Sequence, residues 1–240
     1  MRRYSHLLLI RCFPLIAFAL LGSPYCVPKA VASELSGVAT LTSEYIYRGL
    51  AMSDGDPALQ LGLDYEHDTG LFLGAWASTI DLRSAASRRD TELDYYAGFH
   101  YGFEAPLAFT LTVLRYTYPD HTGPHSYDHN EVLASATWRE HYSIEFGYTS
   151  DLYGLGRIGR HWELRTEWPV ANAWVIGASL GGNDLTDVGA SRYLHWDIGA
   201  SARFSRLTVD LRWYDNESPE GFAAQVSAGS QLVLSLTAAF

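Results

Sequence analysis

From Leu194 to Phe204 the chain alternates without a break. Leu194, Trp196, Ile198, Ala200, Ala202 and Phe204 fall on one face of an extended strand, and His195, Asp197, Gly199, Ser201 and Arg203 on the other. Strand side chains point to opposite faces with period two, so this run makes a strand with one apolar and one polar face and fits no helix. The pattern recurs. Leu207, Val209, Leu211 and Trp213 alternate with Thr208, Asp210, Arg212 and Tyr214. Trp162, Leu164 and Trp168 alternate with His161, Glu163, Arg165 and Glu167, and Leu93, Tyr95, Ala97, Phe99, Tyr101 and Phe103 with Glu92, Asp94, Tyr96, Gly98 and His100.

Counted this way, the sequence predicts twelve strands, at about 37-49, 57-67, 71-81, 91-104, 106-118, 130-139, 141-151, 160-168, 172-181, 192-204, 206-215 and 225-240. After the first strand the connections run long, short, long, short. DLRSAASRRD, YPDHTGPHSYDHN, SDLYGLGRIG, GGNDLTDVGAS and DNESPEGFAA are long; Asp68-Thr69-Gly70, Glu104-Ala105-Pro106, Arg139-Glu140-His141, Pro169-Val170-Ala171 and Phe204-Ser205-Arg206 are short. An even strand number with short turns on one side and long loops on the other is the pattern of an outer-membrane barrel. The expected fold is therefore all-β, a transmembrane antiparallel barrel of about twelve strands, with short periplasmic turns, longer extracellular loops and both termini in the periplasm. A soluble β-sandwich is the alternative. Its strands usually run to about five or six residues, whereas a tilted spanning strand needs roughly nine to eleven. Tyr95, Tyr101, Trp138, Trp162, Trp168 and Trp213 near strand ends suit interfacial girdles.

The ends agree with export. Residues 1-32 have a basic start, an apolar stretch from Cys12 to Leu21 and a small-x-small site at Ala30-Val31-Ala32, the pattern of a secretory leader cleaved after Ala32. Arg11 and Pro14 interrupt the apolar run, which is too short to span a bilayer as a helix. The chain thus divides into a leader at 1-32 and a barrel at 33-240, exported through the inner membrane to the outer membrane. Both cysteines, Cys12 and Cys26, fall in the leader, so the mature chain has no disulfide, thiolate metal site or thiol nucleophile. Four of the 17 basic residues also fall there, which leaves 13 arginines and no lysine against 27 acids, a net charge of −14. Nucleic acid is excluded as a partner, because phosphate contacts need clustered cations. At the other end, QLVLSLTAAF places Leu232, Leu234, Leu236, Ala238 and Phe240 on one face, and a terminal aromatic there resembles the signal read by the outer-membrane barrel assembly machinery. That machinery, outer-membrane lipid and small hydrophilic solutes are the expected partners.

Several stretches carry a family resemblance: Ser43-x-Tyr45-x-x-Arg48-Gly49, Pro57-Ala58-Leu59-Gln60, Gly70-x-x-x-Gly74-x-Trp76-Ala77-Ser78 and Asp94-Tyr95-Tyr96-Ala97-Gly98. On these, mainly in the N-terminal part of the mature chain, the protein resembles the TorF-type porin family, once catalogued as conserved hypothetical outer-membrane proteins. The resemblance implies an outer-membrane barrel with pore activity. It implies no substrate and no catalytic residue.

Parity assigns a lumen. The inward acids are Glu44, Asp64, Glu66, Glu92, Asp94, Glu131, Glu145, Glu163, Glu167, Asp197 and Asp210, and the inward arginines Arg48, Arg139, Arg165, Arg203 and Arg212. Eleven acids against five arginines favour cations, as rings of carboxylates do in other pores. The alternative is that these charges pair across strands and leave a plugged interior; both readings stand. The strand at 71-81 is ambiguous, with bulky apolar residues on both faces (Leu71 and Leu73 against Phe72 and Trp76). In the first strand, SEYIYRGL puts Tyr45 and Tyr47 toward lipid and Glu44 and Arg48 toward the lumen, with AMSDGDPA as the first external loop. Glu44 would lie about 13 Å below Arg48, so Arg48 is expected to pair with acids on neighbouring strands such as Asp64 and to structure the outer mouth.

Three other readings compete. His121, His125 and His129 sit in one loop with Asp120 and Asp128, a set that can ligate zinc, copper or nickel, but Gly123 and Pro124 oppose the helix that would align them, so a solvated loop is expected. A barrel hydrolase would draw on His161, His195 and Ser201. Within one strand His195 and Ser201 are about 20 Å apart and form no pair, and no nucleophile motif stands out, so no catalytic residue, metal or cofactor is assigned. The third class is a structural or surface-binding barrel without an open pore. The reading adopted is a narrow pore for passive diffusion of small hydrophilic solutes, weakly cation-preferring.

Overall fold

The computed structural model describes residues 33–81, 90–102, 106–121, 126–219 and 229–240. The leader at 1–32, His125, the short turn at 103–105 and the loop segments 82–89 and 220–228 lie outside the described residues.

The chain starts with β1 (Glu34–Thr42), then makes a small separate hairpin from β2 (Ile46–Tyr47) and β3 (Leu50–Ala51). The wall continues through β4 (Ala58–Glu66), β5 (Leu71–Ile80), β6 (Asp90–Tyr101), β7 (Leu107–Thr117), β8 (His129–Trp138) and β9 (Tyr142–Thr149). It is completed by β10 (Gly159–Pro169), β11 (Trp174–Asp184), β12 (Arg192–Phe204), β13 (Leu207–Asn216) and β14 (Gln231–Ala239). Each wall strand pairs antiparallel with its neighbour in sequence, and β1 pairs with β14, so twelve strands close into a barrel. Closure leaves no sheet edge, which a strand-built wall in lipid requires because every backbone N–H and C=O must find a partner there.

The two faces are those the alternation predicts, apolar outside and polar inside. Leu59, Leu61 and Leu63 on β4, Trp196 and Ile198 on β12, and Leu232, Leu234 and Leu236 on β14 are exposed, whereas Gln60, Asp64, Glu92, Asp94 and Asp197 are buried. A continuous apolar outer band around a charged interior is stable in a bilayer and not in water. The ambiguous strand resolves cleanly: on β5, Leu71 and Leu73 are each 56% exposed, while Phe72 and Trp76 are 5% and 1% exposed and face inward. Among the girdle aromatics, Tyr95, Tyr101, Trp138, Trp168 and Trp213 are exposed, and Trp162 is half-buried with its indole against Gly182.

Boundaries differ from expectation in three places. The first strand stops at Thr42 instead of continuing to residue 49, because Ser43 turns away: its N–H donates to the Leu234 carbonyl (2.9 Å) and its hydroxyl accepts from the Leu234 N–H (3.0 Å). β11 runs on to Asp184, so the loop before β12 is shorter and holds a 3-10 turn at Thr186–Val188. The last strand begins at Gln231.

The seam between the first and last strands depends on one glycine. Gly37 and Phe240 exchange backbone hydrogen bonds of 2.9 and 3.0 Å, and a Cβ on Gly37 would sit 2.5 Å from the Phe240 ring. Inside the seam, the Thr40 and Thr237 hydroxyls bond at 2.8 Å. Gly37→Val is expected to push the terminal ring off the seam and cost about 1–3 kcal/mol, as overpacking does. The measurement is the fraction of refolded protein that runs as the compact, heat-modifiable form on an unboiled gel; an unchanged fraction contradicts this account.

Candidate functional site

The stretch Ser43 to Pro57 folds into the barrel. Two-residue hairpin loops need positive φ at both positions for the turn whose twist matches the strands, and Arg48 (φ 48°) and Gly49 (φ 80°) supply them between β2 and β3. Glycine takes this conformation freely; arginine adopts it at a cost, which its contacts must outweigh. The hairpin base is tied by the Met52 N–H to the Tyr45 carbonyl (2.7 Å), the Tyr45 N–H to the Ser53 hydroxyl (2.9 Å) and the Ser53 hydroxyl to Glu44 Oε1 (2.6 Å).

The tip reaches across the bore. The Tyr47 and Tyr116 hydroxyls bond at 2.7 Å, Arg48 Nη2 donates to Glu131 Oε2 at 2.7 Å, and the Tyr116 hydroxyl donates to the same oxygen at 2.8 Å. From the other side, the Tyr193 hydroxyl donates to the Arg48 carbonyl (3.0 Å) and Asn216 Nδ2 to the Gly49 carbonyl (2.6 Å). β7, β8, β12 and β13 thus all hold the hairpin. Around it, Tyr45 meets Trp76 edge-on at 5.4 Å, and Leu50 and Met52 join a cluster with Ile80, Leu114, Tyr118 and Leu133. The half of the bore toward the long loops is filled.

These contacts correct the expectation for the opening segment. Tyr45 and Tyr47 do not face lipid: Tyr45 is buried, and Tyr47 is half-buried with its hydroxyl bonded inside the barrel. Glu44 is buried too, off the strand, and the ion pair of Arg48 is with Glu131 and not Asp64. Parity failed because period-two counting holds only while the strand continues, and this one ends at Thr42. The Arg48-Gly49 pair, flanked by bulky residues, was the available hairpin signal.

The remaining interior charges fall on two opposed walls. On β4 and β6, Asp64 accepts from the Tyr96 hydroxyl and Glu92 from the Tyr118 hydroxyl (2.9 Å), with Asp94 buried beside them and Glu66 half-buried lower down. On β10 to β13, Arg165 binds Glu163 at 2.6 Å, and Arg212 binds Asp197 and, at 3.3 Å, Asp210; Ser179 also donates to Asp197. Between the walls, His161 bridges Glu145 (3.2 Å) and Glu131 (3.5 Å), and Glu167 is buried farther down. Two expected lumen arginines are not enclosed: Arg139 sits in the β8–β9 turn over the Trp138 ring at 4.7 Å, and Arg203 is exposed at the end of β12. Both lie where the strand meets a short turn, so parity alone overstated their enclosure. Below the hairpin tip is a cavity of about 60 Å³ lined by Tyr47, Arg48, Glu145, His161, His195 and Asp197, among others.

Among the described residues the histidines stand apart from one another. His129 belongs to β8 and not to a solvated loop: it is buried and stacked on Tyr116 at 4.5 Å, while His121 stacks on Tyr127 at 4.1 Å. Among the described residues no group of three or more ligating side chains converges. His161 is engaged by two carboxylates, and the His195 ring packs over Gly181.

A family model described as "Bacterial protein of unknown function (Gcw_chp)" matches residues 28–240. The chain belongs to the Gcw_chp family. The stretches that resemble TorF-type porins all lie inside the matched residues. The chain is similar in fold to the KdgM porin solved in complex with disordered oligogalacturonate (TM-score 0.53, 10% identity, covering 87% of this chain and 99% of that one). It is similar to the same degree to an outer membrane channel from Pseudomonas putida F1 (TM-score 0.53, 12% identity, 91% and 99% covered). No curated protein matches. At such identities the likeness concerns the fold, which is that of outer-membrane channels.

Gly49 tests the seating of the hairpin. A Cβ there would come 2.5 Å from His195 Cβ and would require a φ of +80° from a residue that avoids it. Gly49→Val is expected to unseat the tip at a cost of about 1–3 kcal/mol while the wall stays closed. The measurement is urea unfolding of the refolded barrel paired with circular dichroism; unchanged stability would show that the tip is not held as described.

Proposed function

We propose that the chain is a narrow outer-membrane channel for passive diffusion of small hydrophilic solutes, closed in the state described by its own Ser43–Pro57 segment. The observation that carries this reading is the combination of a lipid-compatible wall, a charged bore and a stopper that belongs to neither. Among the described residues β2 and β3 form strand ladders only with each other, so the hairpin can leave the bore without breaking the backbone ladder of the wall. Toward the short turns the inward groups are mixed: Thr110, Thr137, Ser143, Gly177 and Ser201 stand beside Glu167 and a Phe72 ring stacked on His100 at 4.4 Å. A bore stoppered from the long-loop side and lined with polar groups suits a gated conduit.

The charge balance supports weak cation preference. Buried or half-buried inward carboxylates include Asp64, Glu66, Glu92, Asp94, Glu131, Glu145, Glu163, Glu167, Asp197 and Asp210, whereas Arg48, Arg165 and Arg212 are the enclosed arginines among the described residues. Each of the three arginines already has a carboxylate partner, so the surplus is negative. The reading includes export with cleavage after Ala32, insertion by the barrel assembly machinery through the strand ending in Phe240, and kinship with TorF-type porins.

A second reading is favoured by the plug itself, a barrel that never conducts and serves as a structural or surface-binding protein. Planar-bilayer recordings separate the two. The channel reading expects rare, small openings of the wild type, larger and more frequent ones when Ile46–Ala51 is replaced by a short Gly-Ser linker, and a reversal potential of cation sign across a KCl gradient. Silence from both proteins supports the non-conducting barrel, and a reversal potential near zero removes the cation preference.

A further inference from the structure

We infer that the cavity under the hairpin tip is a binding site for small solutes bearing a guanidinium or primary ammonium group, and that Arg48 occupies its acidic cradle when no such solute is present. Arg48 sits there as a tethered cation. Its guanidinium is hydrogen-bonded to Glu131 Oε2 at 2.7 Å and lies 4.7 Å from the centre of the Tyr47 ring, and the Tyr116 hydroxyl shares the same carboxylate oxygen. A carboxylate with an aromatic face beside it is the arrangement that receives organic cations in general. Here it is supplied partly by the wall (Glu131 and Tyr116) and partly by the hairpin (Tyr47), and it opens into a cavity of about 60 Å³.

The charges fix which solutes can replace the tether. Glu131 is 2% exposed, and removing one partner of a buried ion pair leaves an uncompensated charge, which is strongly destabilising. Arg48 can therefore leave its cradle only in exchange for another cation. Past the cradle, Glu145, Glu163 and Asp197 line the cavity; Glu163 and Asp197 are paired with Arg165 and Arg212, which leaves Glu145, held by His161, as the lining acid without an arginine. A second observation points to a ligand there. His195 lines the same cavity, and its Nε2, in a residue 3% exposed and packed over Gly181, has no hydrogen-bond partner among the described residues, although buried imidazole nitrogens are ordinarily satisfied. A polar group on the solute would meet it. Metal ions fit less well, since among the described residues no three ligating side chains converge. The cavity, about 60 Å³, has room for a small head group.

Binding at this site does not depend on conduction; only the further step, in which displacement of the tip opens the bore, rests on the channel reading. The test uses the refolded full-length mature barrel and agmatine, which carries both head groups, with glycerol and acetate as controls. Calorimetric titration is expected to show agmatine binding to the wild type, binding roughly tenfold tighter in Arg48→Ala because a tethered competitor is gone, and weaker binding in Glu145→Gln. If Arg48→Ala folds poorly, Arg48→Gln keeps the side-chain length and carries the same expectation. Equal affinity for glycerol, or no gain on removing the Arg48 charge, overturns the site. In bilayers, conduction that agmatine leaves unaltered overturns the link between site and opening, whereas agmatine binding by a barrel that never conducts supports the site and defeats the channel reading.

Discussion

Everything in this molecule depends on the absence of water around the wall. A backbone amide or carbonyl facing hydrocarbon has no partner but another strand, so the sheet must close, and closure falls to the pairing of β1 with β14. The same condition reverses the usual placement of side chains. Leucines and tryptophans turn outward because the surroundings are apolar, and carboxylates turn inward because the only water or countercharge available to them is there. A charged interior is then a consequence of the fold, and the protein must pair its charges or fill the space around them.

It does both, in different places. On β10 to β13 the arginines and carboxylates are laced together, Arg212 to Asp197 and Asp210, and Arg165 to Glu163. On β4 and β6 the acids lean on tyrosine hydroxyls instead, Tyr96 to Asp64 and Tyr118 to Glu92. The Ser43–Pro57 segment fills the gap between these walls, and Arg48 brings to Glu131 a countercharge on the side away from the His161 imidazole. One short loop thereby stabilises a buried carboxylate, seals the bore and covers the cavity.

The wall was legible in the sequence and its contents were not. Twelve strands, their order, and the alternation of long and short connections follow from period-two runs such as Leu194 to Phe204, since each run reports a local property of its own strand. Even the ambiguous β5 was a case of two apolar faces, with Phe72 and Trp76 serving an aromatic cluster inside. Where the wall ends, local periodicity stops being informative. Tyr45 and Tyr47 were misplaced, and Arg48 was given the wrong partner, because the chain leaves the sheet at Thr42, and His129 was misplaced because the strand begins earlier than its loop-like neighbours suggest. Which acid meets which arginine depends on barrel closure and stagger, so the pairing of Arg48 with Glu131 across 83 residues has no local signature.

Those long separations also order events in time. The hairpin follows directly on the first strand in sequence, yet its tip is held by Glu131, Tyr193 and Asn216, which lie 83, 145 and 167 residues further along the chain. Loop-closure entropy makes such contacts costly before the intervening strands have paired. The complete set of tip contacts is therefore available only once β8, β12 and β13 stand in one barrel. A seated hairpin reports that strands far apart in the sequence have come together, which makes this segment an internal gauge of assembly.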